Sequence, residues 1–387
     1  MQSYDLKINT LFDSLVESVT KEYINDKQNY PWIIGFSGGK DSSLVAHIVF
    51  QVILNIRPSK RTRDIYIVSN DTLVESPLVV EHITKQLSLI DEAAKNFNLP
   101  IKIHITRPRV EHTFWTLLIG KGYPSPNQRM RWCTDRLKIQ PTSKFILNNI
   151  SEHGAAIIVL GVRKDESSSR KSVIDKYKNI ENSKLSPHSE LQGAYIYRPI
   201  SDVSTLDVWN LLSYNDPPWG GTHEHLIQLY RDAKGGECPM VLSKDEAPGC
   251  GTPSSRFGCW VCTVVEKDRS LQGFVDSGQK KYQILIDFRD WLKSIRNDPE
   301  HRQIRRRNGN LTFEASGKHI PGPFTISSRK LILEKLLAAQ QEYGQDLISN
   351  LTLLLRSNLV HTLSSTTRVW TRFDLKRRVR FDCINMG

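Results

Sequence analysis

The sequence of 387 residues lacks the features of several large classes of protein. No apolar run approaches the roughly 20 residues needed to cross a bilayer, which excludes a membrane-spanning helix and a membrane partner. Segment 1–27 carries scattered charges and no apolar signal-peptide core, so a cytoplasmic location is expected. No internal repeat is present, which excludes a repeat architecture. With 39% hydrophobic and 24% charged residues, the chain is expected to fold as a soluble protein.

Two widespread nucleotide-binding motifs are missing as well. The Walker A motif requires G-x-x-x-x-G-K-[ST], whereas Lys40 is followed by Asp41 and no glycine lies five residues before Gly39. The dinucleotide fingerprint G-x-G-x-x-G is also absent. A nucleotide-binding site in this chain must therefore use another kind of loop.

Such a loop is present between a short apolar run and a long apolar stretch. Its residues are Ser37, Gly38, Gly39, Lys40, Asp41, Ser42 and Ser43. The order predicts a buried strand, a glycine turn and the start of a helix, whose unpaired N–H groups and dipole favour phosphate. The two glycines allow close approach of the backbone, and the serines add hydroxyl donors. The segment predicts a phosphate-binding loop for a nucleotide.

Alternating strands and helices predict an α/β fold with a doubly wound, mostly parallel sheet. The strands are expected at Ile33–Phe36, Asp64–Ser69, Ile101–Thr106 and Ala155–Gly161. Helices are expected at Ser42–Ile56, Pro77–Asn96 and Leu271–Ile295. Since ligands bind at the carboxyl ends of parallel strands, Ser37, Asp71 and Arg163 are expected to converge there. Residues 164–190 are polar and weakly periodic, which predicts a mobile loop over the site.

The chain has only six cysteines, yet four of them fall within 25 residues. Clustering of this kind in a cytoplasmic protein favours a metal centre over disulfides. Four thiolates suit either tetrahedral zinc or an iron–sulfur cluster. The apolar surroundings and the long spacers favour [4Fe–4S] over zinc, although spacing alone leaves both open. The predicted ligands are Cys238, Cys250, Cys259 and Cys262.

Cys133 stands apart from the other cysteines, among three arginines and one lysine in the segment 129–138. Nearby cations lower the pKa of a thiol and favour the reactive thiolate, which could carry a persulfide. The alternative is a buried small residue among basic residues that bind the ligand. The sequence leaves both interpretations of Cys133 open.

Positive charge is concentrated at one end of the chain. The formal net charge is +12, and the segment 301–387, with 15 Lys and Arg against 6 Asp and Glu, contributes +9. This asymmetry predicts a polyanionic partner such as nucleic acid. We expect a nucleotide-binding domain over 1–230, a four-cysteine region over 231–270 and a helical, basic region over 271–387. The basic patches centre on Arg302, Arg305–Arg307 and Lys376–Arg380.

The motifs together resemble a known family. The loop S-G-G-x-D-S is similar to that of the adenine-nucleotide α-hydrolases, or ATP pyrophosphatases, and the segment Gly161–Arg170 resembles the phosphoadenosine-phosphosulfate reductase superfamily. With the segments 122–139, 217–220, 236–239 and 255–263, the chain resembles the DndC sulfurtransferase family of bacterial DNA phosphorothioation systems. The resemblance covers roughly residues 30–295.

The resemblance implies an enzyme that splits ATP into AMP and pyrophosphate, carries a [4Fe–4S] cluster and helps to replace a DNA phosphate oxygen by sulfur. It implies pyrophosphate binding by the loop 37–43, with Lys40 stabilising the leaving group, and phosphate contacts by Arg163 and Arg170. Mg²⁺ is expected with ATP, on Asp41 or Asp71. Double-stranded DNA, a cysteine desulfurase and other subunits of the complex are the implied partners.

Three alternatives remain at this point. Transfer RNA thiolation uses the same ATP-dependent chemistry and fits the loop and the cysteines nearly as well. A non-catalytic, nucleotide-gated DNA-binding subunit belongs to a different class. Reduction of a sulfonucleotide is disfavoured because the reductases carry a C-terminal Glu-Cys-Gly-Leu-His motif, which the segment 380–387 does not match.

Overall fold

A parallel sheet forms the centre of the protein in the computed structural model, which describes residues 2–26, 28–176, 183–233 and 257–348. Within these ranges the sheet has six strands in the order β3-β2-β1-β4-β6-β5. The strands are β1 (Trp32–Gly35), β2 (Ile65–Asn70), β3 (Ile101–Thr106), β4 (Ala156–Val159), β5 (Leu185–Pro187) and β6 (Ala194–Tyr197). The paired strands are parallel except for β5 and β6. This architecture confirms the predicted fold class.

Helices precede, follow and separate the strands. They are α1 (Gln2–Asn25), α2 (Lys40–Asn55), α3 (Pro77–Asn96), α4 (Trp132–Thr134), α5 (Gln140–His153), α6 (Ser168–Lys176), α7 (Thr205–Tyr214), α8 (Glu224–Asp232), α9 (Arg269–Asp276), α10 (Gln283–Ser294) and α11 (Ile326–Tyr343). The described part of the chain also contains two π-helical turns, 116–120 and 135–139, several short 3-10 turns, and a hairpin of β7 (Thr312–Phe313) and β8 (His319–Ile320). None of the helices in the described ranges is long and apolar enough to cross a membrane.

The central strands are buried on both faces, which explains their continuous apolar sequences. Every residue of β1 and β4 is buried. Trp32 and Ile34 belong to one hydrophobic core, which includes the apolar face of α2, while Ile33 and Ile158 belong to a second core that includes Ile146 of α5. The loops at the carboxyl ends of these strands are therefore attached to a rigid frame.

Three expectations about local structure are wrong. Helix α2 begins at Lys40 rather than Ser42, so Lys40 and Asp41 lie in its first turn. The segment 164–190 contains α6 and β5 in its described part instead of one loop. The segment 271–295 is broken into α9 and α10, because Gly278 has a φ of +112° that a continuing helix does not allow.

The region after α9 packs against the π-helical turn 116–120 and the residue before it. Trp115 Nε1 donates to the carbonyl of Leu347 at 2.9 Å, and Arg329 Nε donates to the carbonyl of Ile119 at 2.6 Å. The predicted division of the chain at residues 231 and 271 stays a prediction. The residues around Cys238, Cys250 and Lys376–Arg380 lie outside the described ranges.

Candidate functional site

The glycine loop joins β1 to α2 and is closed by its own hydroxyl groups. The backbone N–H of Ser37 donates to Ser42 Oγ at 3.2 Å, the two Oγ atoms are 3.1 Å apart, and Ser42 Oγ donates to the carbonyl of Gly39 at 3.0 Å. Ser43 is buried in the first turn of the helix. The hydroxyls thus fix the turn, and the backbone N–H of Lys40 at the start of α2 donates to Tyr230 Oη at 3.3 Å.

Gly38 is required by its conformation and by its surroundings. Its φ is +72°, and a Cβ atom placed there would lie 2.5 Å from Cγ1 of Ile83 on α3. A side chain at this position would therefore be strained and would push the loop away from α3.

Asp41 is held between two cations at the start of α2. Lys40 Nζ lies 2.6 Å from Asp41 Oδ2, and Arg163 Nε donates to Asp41 Oδ1. All three residues are buried, with 8%, 4% and 1% of the surface of Lys40, Asp41 and Arg163 exposed. Gly161 contacts the backbone of Asp41 so closely that a Cβ there would lie 2.7 Å from the Asp41 carbonyl carbon. The loop after β4 is thereby fixed to the start of α2.

The guanidinium of Arg163 is directed at protein groups. Besides Asp41, it donates from Nη1 to the carbonyl of Val203 at 3.1 Å and to Oγ1 of Thr205 at 3.1 Å. These contacts give Arg163 a positioning role, and its predicted contact with phosphate stays a prediction. Nothing in the local sequence indicated that Thr205, at the start of α7, would accept a hydrogen bond from Arg163.

Arg170 is connected to the same loop through Glu166. Its Nη1 donates to Glu166 Oε1 at 2.9 Å, and that oxygen also accepts from the backbone N–H of Arg163 at 2.9 Å. Arg170 Nε is buried and has no hydrogen-bond partner among the described residues. The ion pair with Glu166 thus orients the Arg170 guanidinium, while its Nε has no acceptor within the described part of the chain.

A narrow cleft opens beside the glycine loop, with a cavity volume of about 20 Å³. Its wall includes Ser37 and Gly39 of the loop, Asn70 at the end of β2, and Gly258, which precedes Cys259. Asn70 Oδ1 accepts hydrogen bonds from Thr106 Oγ1 and from Thr142 Oγ1. Its Nδ2 is buried without a partner among the described residues. The fixed amide offers a donor to an acceptor atom of a bound ligand.

Two further residues of the cleft, Glu75 and Lys138, were not singled out as site residues from the sequence. Their charged groups are 3.3 Å apart, and both side chains are largely buried. Burial raises the pKa of Glu75, while the neighbouring ammonium of Lys138 opposes that rise. Lys138 ends the basic segment around Cys133, but its pairing with Glu75 depends on the tertiary fold.

The turn between Cys259 and Cys262 is attached to the loop after β2. The N–H of Cys262 donates to the carbonyl of Cys259 at 3.0 Å, which closes the turn. Trp260 N donates to the carbonyl of Val74 at 3.1 Å, and Ser76 N donates to the carbonyl of Gly258 at 3.3 Å. These bonds place the cysteine turn at the edge of the cleft.

The structure describes only part of the predicted metal centre. Cys259 and Cys262 are half-buried thiols, and Cys238 and Cys250 lie outside the described ranges. Among the described residues no three His, Cys, Asp or Glu side chains are grouped closely enough to hold a metal ion. The predicted set of four ligands and the choice of metal stay predictions.

Cys133 lies in α4, on a segment that contacts the cysteine turn. The preceding Trp132 donates from Nε1 to the carbonyl of Pro124 at 2.9 Å. The neighbouring carbonyl of Pro126 accepts from Oγ1 of Thr263 at 2.7 Å, directly after Cys262. The loop that precedes α4 is therefore in contact with the residue that follows Cys262.

Asp71 follows β2 at the carboxyl edge of the sheet. Its Oδ2 lies 2.9 Å from Arg107 Nε, and its Oδ1 accepts from the backbone N–H of Leu73 at 2.9 Å. Asp71 lines a different cleft, which also includes Glu75. It does not line the cleft beside the glycine loop. The side chains of Asp71 and Asp41 therefore belong to different surroundings.

Two histidine pairs support the loop from behind. His82 Nδ1 lies 3.0 Å from His225 Nδ1, and His47 Nδ1 lies 3.2 Å from His223 Nε2. Burial lowers the pKa of His47 to about 3 and the pKa of His82 and of His223 to about 4. These three side chains are neutral at neutral pH, so they act as packing and hydrogen-bonding groups.

The family of the chain follows from its sequence. The model of the phosphoadenosine phosphosulfate reductase domain matches residues 31–265, more than half of the chain, and the chain belongs to this family. The chain is also similar to an uncharacterized protein of Methanocaldococcus jannaschii, with 25% identity over 199 residues. That similarity covers 51% of this chain and 35% of the relative, so the chain spans about a third of the length of that relative.

Three solved structures are similar to the chain at low TM-scores. Phosphoadenylyl-sulfate reductase from Candida auris, in a phosphate complex, has 13% identity and a TM-score of 0.33 over 53% of this chain and 83% of its own. NH3-dependent NAD synthetase from Campylobacter jejuni has 13% identity and a TM-score of 0.35 over 59% and 80%. The U34-tRNA thiolase NcsA from Methanococcus maripaludis, with its [4Fe–4S] cluster, has 13% identity and a TM-score of 0.30 over 74% and 80%. Values this low assign neither a substrate nor a reaction.

Proposed function

We propose that this protein is an ATP pyrophosphatase and sulfurtransferase that activates a backbone phosphate of double-stranded DNA and enables its oxygen to be replaced by sulfur. ATP is split between the α and β phosphates, giving AMP and pyrophosphate. The proposal adds a reaction and a substrate to the membership of the chain in the phosphoadenosine phosphosulfate reductase domain family. The model of that family spans the glycine loop and the cysteine turn.

One observation carries the proposal. The cleft beside the glycine loop is lined both by Ser37 and Gly39 and by Gly258, the residue before Cys259. The backbone bonds of the cysteine turn to residues 74–76 keep that turn at the edge of the cleft. The glycine loop and the cysteine turn therefore share one wall, and this supports a reaction that couples ATP cleavage to sulfur transfer.

The residues of the glycine loop and of the cleft wall have the chemistry that binds phosphate groups. The positive end of the dipole of α2 lies at this loop, and Gly38, with a φ of +72°, has no side chain that would block the approach of a phosphate. The buried Nδ2 of Asn70 is a donor for the ligand. Lys40 bonds to Asp41 in this structure, and its stabilisation of the leaving pyrophosphate requires its ammonium to turn toward the cleft.

Asp41 does not fit the role of a Mg²⁺ ligand. Each of its oxygens is paired with a cation, Oδ1 with Arg163 and Oδ2 with Lys40, and a metal ion would have to displace one of them. Asp41 instead fixes the start of the helix that carries the phosphate-binding loop.

The proposed metal centre combines the described turn with two cysteines outside the described ranges. Cys259 and Cys262 are held in one closed turn, which suits two thiolate ligands of a single cluster. A [4Fe–4S] cluster held by Cys238, Cys250, Cys259 and Cys262 would supply a site for binding sulfide. Zinc is the alternative for the same four thiolates.

The chemistry has two displacements at phosphorus. An oxygen of the DNA phosphate attacks the α-phosphorus of ATP, a P–O bond forms, and the bond to the β-phosphate breaks as pyrophosphate leaves. The glycine loop binds the charge that develops on that leaving group. Hydrosulfide, released from the persulfide of a cysteine desulfurase partner by two thiols that are oxidised to a disulfide, then attacks the DNA phosphorus, and AMP leaves with the original DNA oxygen. No net oxidation or reduction occurs in the two displacements themselves.

The test compares two substrates for the sulfur. Anaerobically purified protein is incubated with ATP, a sulfide source and either duplex DNA or transfer RNA, which are then digested to nucleosides and analysed by mass spectrometry. The expected products are phosphorothioate-linked dinucleotides that require ATP and are lost in the Ser37→Ala, Gly39→Ala variant.

Other outcomes separate the remaining functions. Thiolated nucleosides from transfer RNA without phosphorothioate in DNA would establish the tRNA alternative and refute the proposal. Release of sulfite from phosphoadenylyl sulfate would establish a reductase. ATP-dependent DNA binding without release of pyrophosphate would establish a nucleotide-gated binding subunit.

A further inference from the structure

A second pocket lies where the segment that leads to Cys133 meets the basic segment around residue 305. It has a cavity volume of about 220 Å³, and its wall includes Tyr123, Met130, Trp132, Arg306, Arg307 and Pro323. None of these residues lines the cleft beside the glycine loop. The pocket is therefore a separate site, and it adjoins Cys133 through Trp132.

The basic wall of the pocket is held by a buried arginine. Arg302 is 7% exposed, and its Nε donates to the carbonyl of Gly322 at 2.7 Å. Gly322 lies so close to the backbone of Arg305 that no Cβ atom would fit there. Phe324 N donates to the carbonyl of Gly122 at 2.8 Å, which fixes this wall to the aromatic wall. The pocket is therefore preformed.

The opposite wall presents aromatic rings in fixed positions. Trp132 stacks on Phe114 at a centroid distance of 5.3 Å, and its Nε1 donates to the carbonyl of Pro124. The ring of Tyr123 is 5.7 Å from that of Trp132 at an interplanar angle of 79°. Arg307 lies over the Tyr123 ring, with Cζ 5.2 Å from the centroid. The pocket wall thus combines aromatic rings with a guanidinium group, the groups that stack with flat ligands.

Positive charge surrounds the mouth of the pocket. Arg305 and Arg307 are exposed and Arg306 is half-buried. Arg129 is also exposed, and its contact with Glu314 is loose, at 3.7 Å. Arginines beside aromatic rings are the combination that binds single-stranded nucleic acid, where the rings stack on bases and the guanidinium groups bind phosphates.

We infer that this pocket takes one unstacked nucleobase of the DNA strand that is modified, with the adjoining phosphates on Arg306 and Arg307. The inference rests on the proposed function and names the part of the substrate that the pocket recognises. A backbone phosphate in a duplex is accessible, but its exact placement needs an anchor, and a base taken out of the stack provides one. Because Trp132 directly precedes Cys133, the anchored strand lies beside the segment that contacts the cysteine turn.

The test measures the contribution of the base to binding in the absence of ATP. A short oligothymidine strand and a strand of the same length with abasic residues are titrated with the full-length protein, and fluorescence anisotropy reports the dissociation constants. Wild-type protein is expected to prefer oligothymidine by about tenfold, and Tyr123→Ala is expected to reduce that preference to about threefold or less. Equal binding of the two strands by the wild type, or an unchanged preference in Tyr123→Ala, would overturn the inference.

A charge variant tests the same pocket without touching its rings. Arg307→Gln is expected to weaken binding of both strands and to reduce the slope of log K against log salt by about 0.7. Arg57→Gln is the matched control, because Arg57 is exposed and follows α2 at the end about 24 Å from the glycine loop. Equal effects of Arg307→Gln and Arg57→Gln would show that the phosphates are not bound at this pocket.

Two further measurements distinguish DNA from RNA and from a free nucleotide as the ligand that supplies the base. A preference for oligouridine over its abasic strand, lost in Tyr123→Ala and absent for oligothymidine, would assign the pocket to RNA and overturn the DNA inference. Displacement of oligothymidine by free ATP with the same dependence on Tyr123 would make it a mononucleotide site and also overturn it.

The inference and the proposed function fail in different ways. A wild-type protein that shows the base preference but splits ATP into ADP and phosphate keeps the pocket and refutes the proposed function. A wild-type protein that releases pyrophosphate but shows no base preference keeps the function and refutes the pocket.

Discussion

Arg163 donates from Nε to Oδ1 of Asp41, and this ion pair joins two loops that are 122 residues apart in the sequence. Both side chains are almost completely buried. The pair connects the carboxyl end of β4 to the start of α2, and so it sets the position of the phosphate-binding loop relative to the sheet. The two residues were expected to contact a nucleotide, whereas here they contact each other.

The first prediction concerns this ion pair. Arg163→Gln is expected to lower the free energy of unfolding by about 3 kcal/mol, because it leaves the Asp41 carboxylate buried with a weaker set of partners. Urea denaturation measures the change. The matched control is Lys95→Gln, which removes a cation from an exposed pair with Asp91 and is expected to cost less than about 1 kcal/mol. Equal losses in the two variants would contradict a structural role for the Arg163 pair.

The second prediction concerns Gly38. Gly38→Ala is expected to reduce ATP cleavage by about 100-fold, because a Cβ 2.5 Å from Ile83 displaces the loop that positions the phosphates. Gly154→Ala is the control, since Gly154 also has a positive φ, of +83°, but has open space around its Cβ position. The control is expected to lose about 1 kcal/mol of stability and to keep its activity. Full activity in Gly38→Ala would exclude the loop from the site.

The amino-acid sequence predicted the parts of the fold that are set by local signals. The helix Pro77–Asn96 and the strand Ile101–Thr106 agree with the structure residue for residue. Pro77 occupies the first helical position, and Asn98, just after the helix, has a φ of +49°. These residues mark the ends of the elements without help from the rest of the chain.

Other parts of the structure depend on contacts between distant segments. Helix α6 has little apolar periodicity, and the bond from Arg170 to Glu166 contributes to its position. Strand β6 is only four residues long and contains two tyrosines, so its pattern was too short to recognise. The site shows the same limit, since the chemistry of the loop was evident, but the pairing of Asp41 with Arg163 and of Glu75 with Lys138 was not.

The third prediction is a dependence of stability on pH that comes from His47 and His223. Their pKa values are lowered from 6.5 to about 3 and about 4 because both side chains are buried. Below pH 6.5 the unfolded chain binds protons that the folded protein excludes, so stability falls as the pH drops from about 6.5 toward about 4. Each such histidine contributes a slope of about 1.4 kcal/mol per pH unit.

The variant His47→Gln separates this effect from other acid-sensitive groups. It is expected to reduce the loss of stability between pH 6.5 and pH 4, measured by urea denaturation at several pH values, since one titrating site is removed. His153→Gln, at an exposed position, is the matched control and is expected to keep the wild-type slope. If both variants keep the wild-type slope, His47 is not the source of the pH dependence.

The fourth prediction concerns the metal centre. Cys259→Ser is expected to abolish bound iron and sulfide and the visible absorption of the anaerobically purified protein, because it removes a thiolate from the closed turn. Cys383→Ser, outside the group of four, is expected to retain them. If the wild type contains stoichiometric zinc and no sulfide, the metal centre is a zinc site and not an iron–sulfur cluster. If Cys259→Ser keeps the iron content of the wild type, Cys259 does not bind the cluster.

The position at which ATP is split tests the account most directly. Anaerobically purified wild-type protein is incubated with ATP, DNA and a sulfide source, and the nucleotide and phosphate products are separated and quantified, with Gly38→Ala as the impaired comparison. The account predicts equal amounts of AMP and pyrophosphate from the wild type and about 100-fold less from the variant. Formation of ADP and phosphate, or equal turnover by the two proteins, would contradict it.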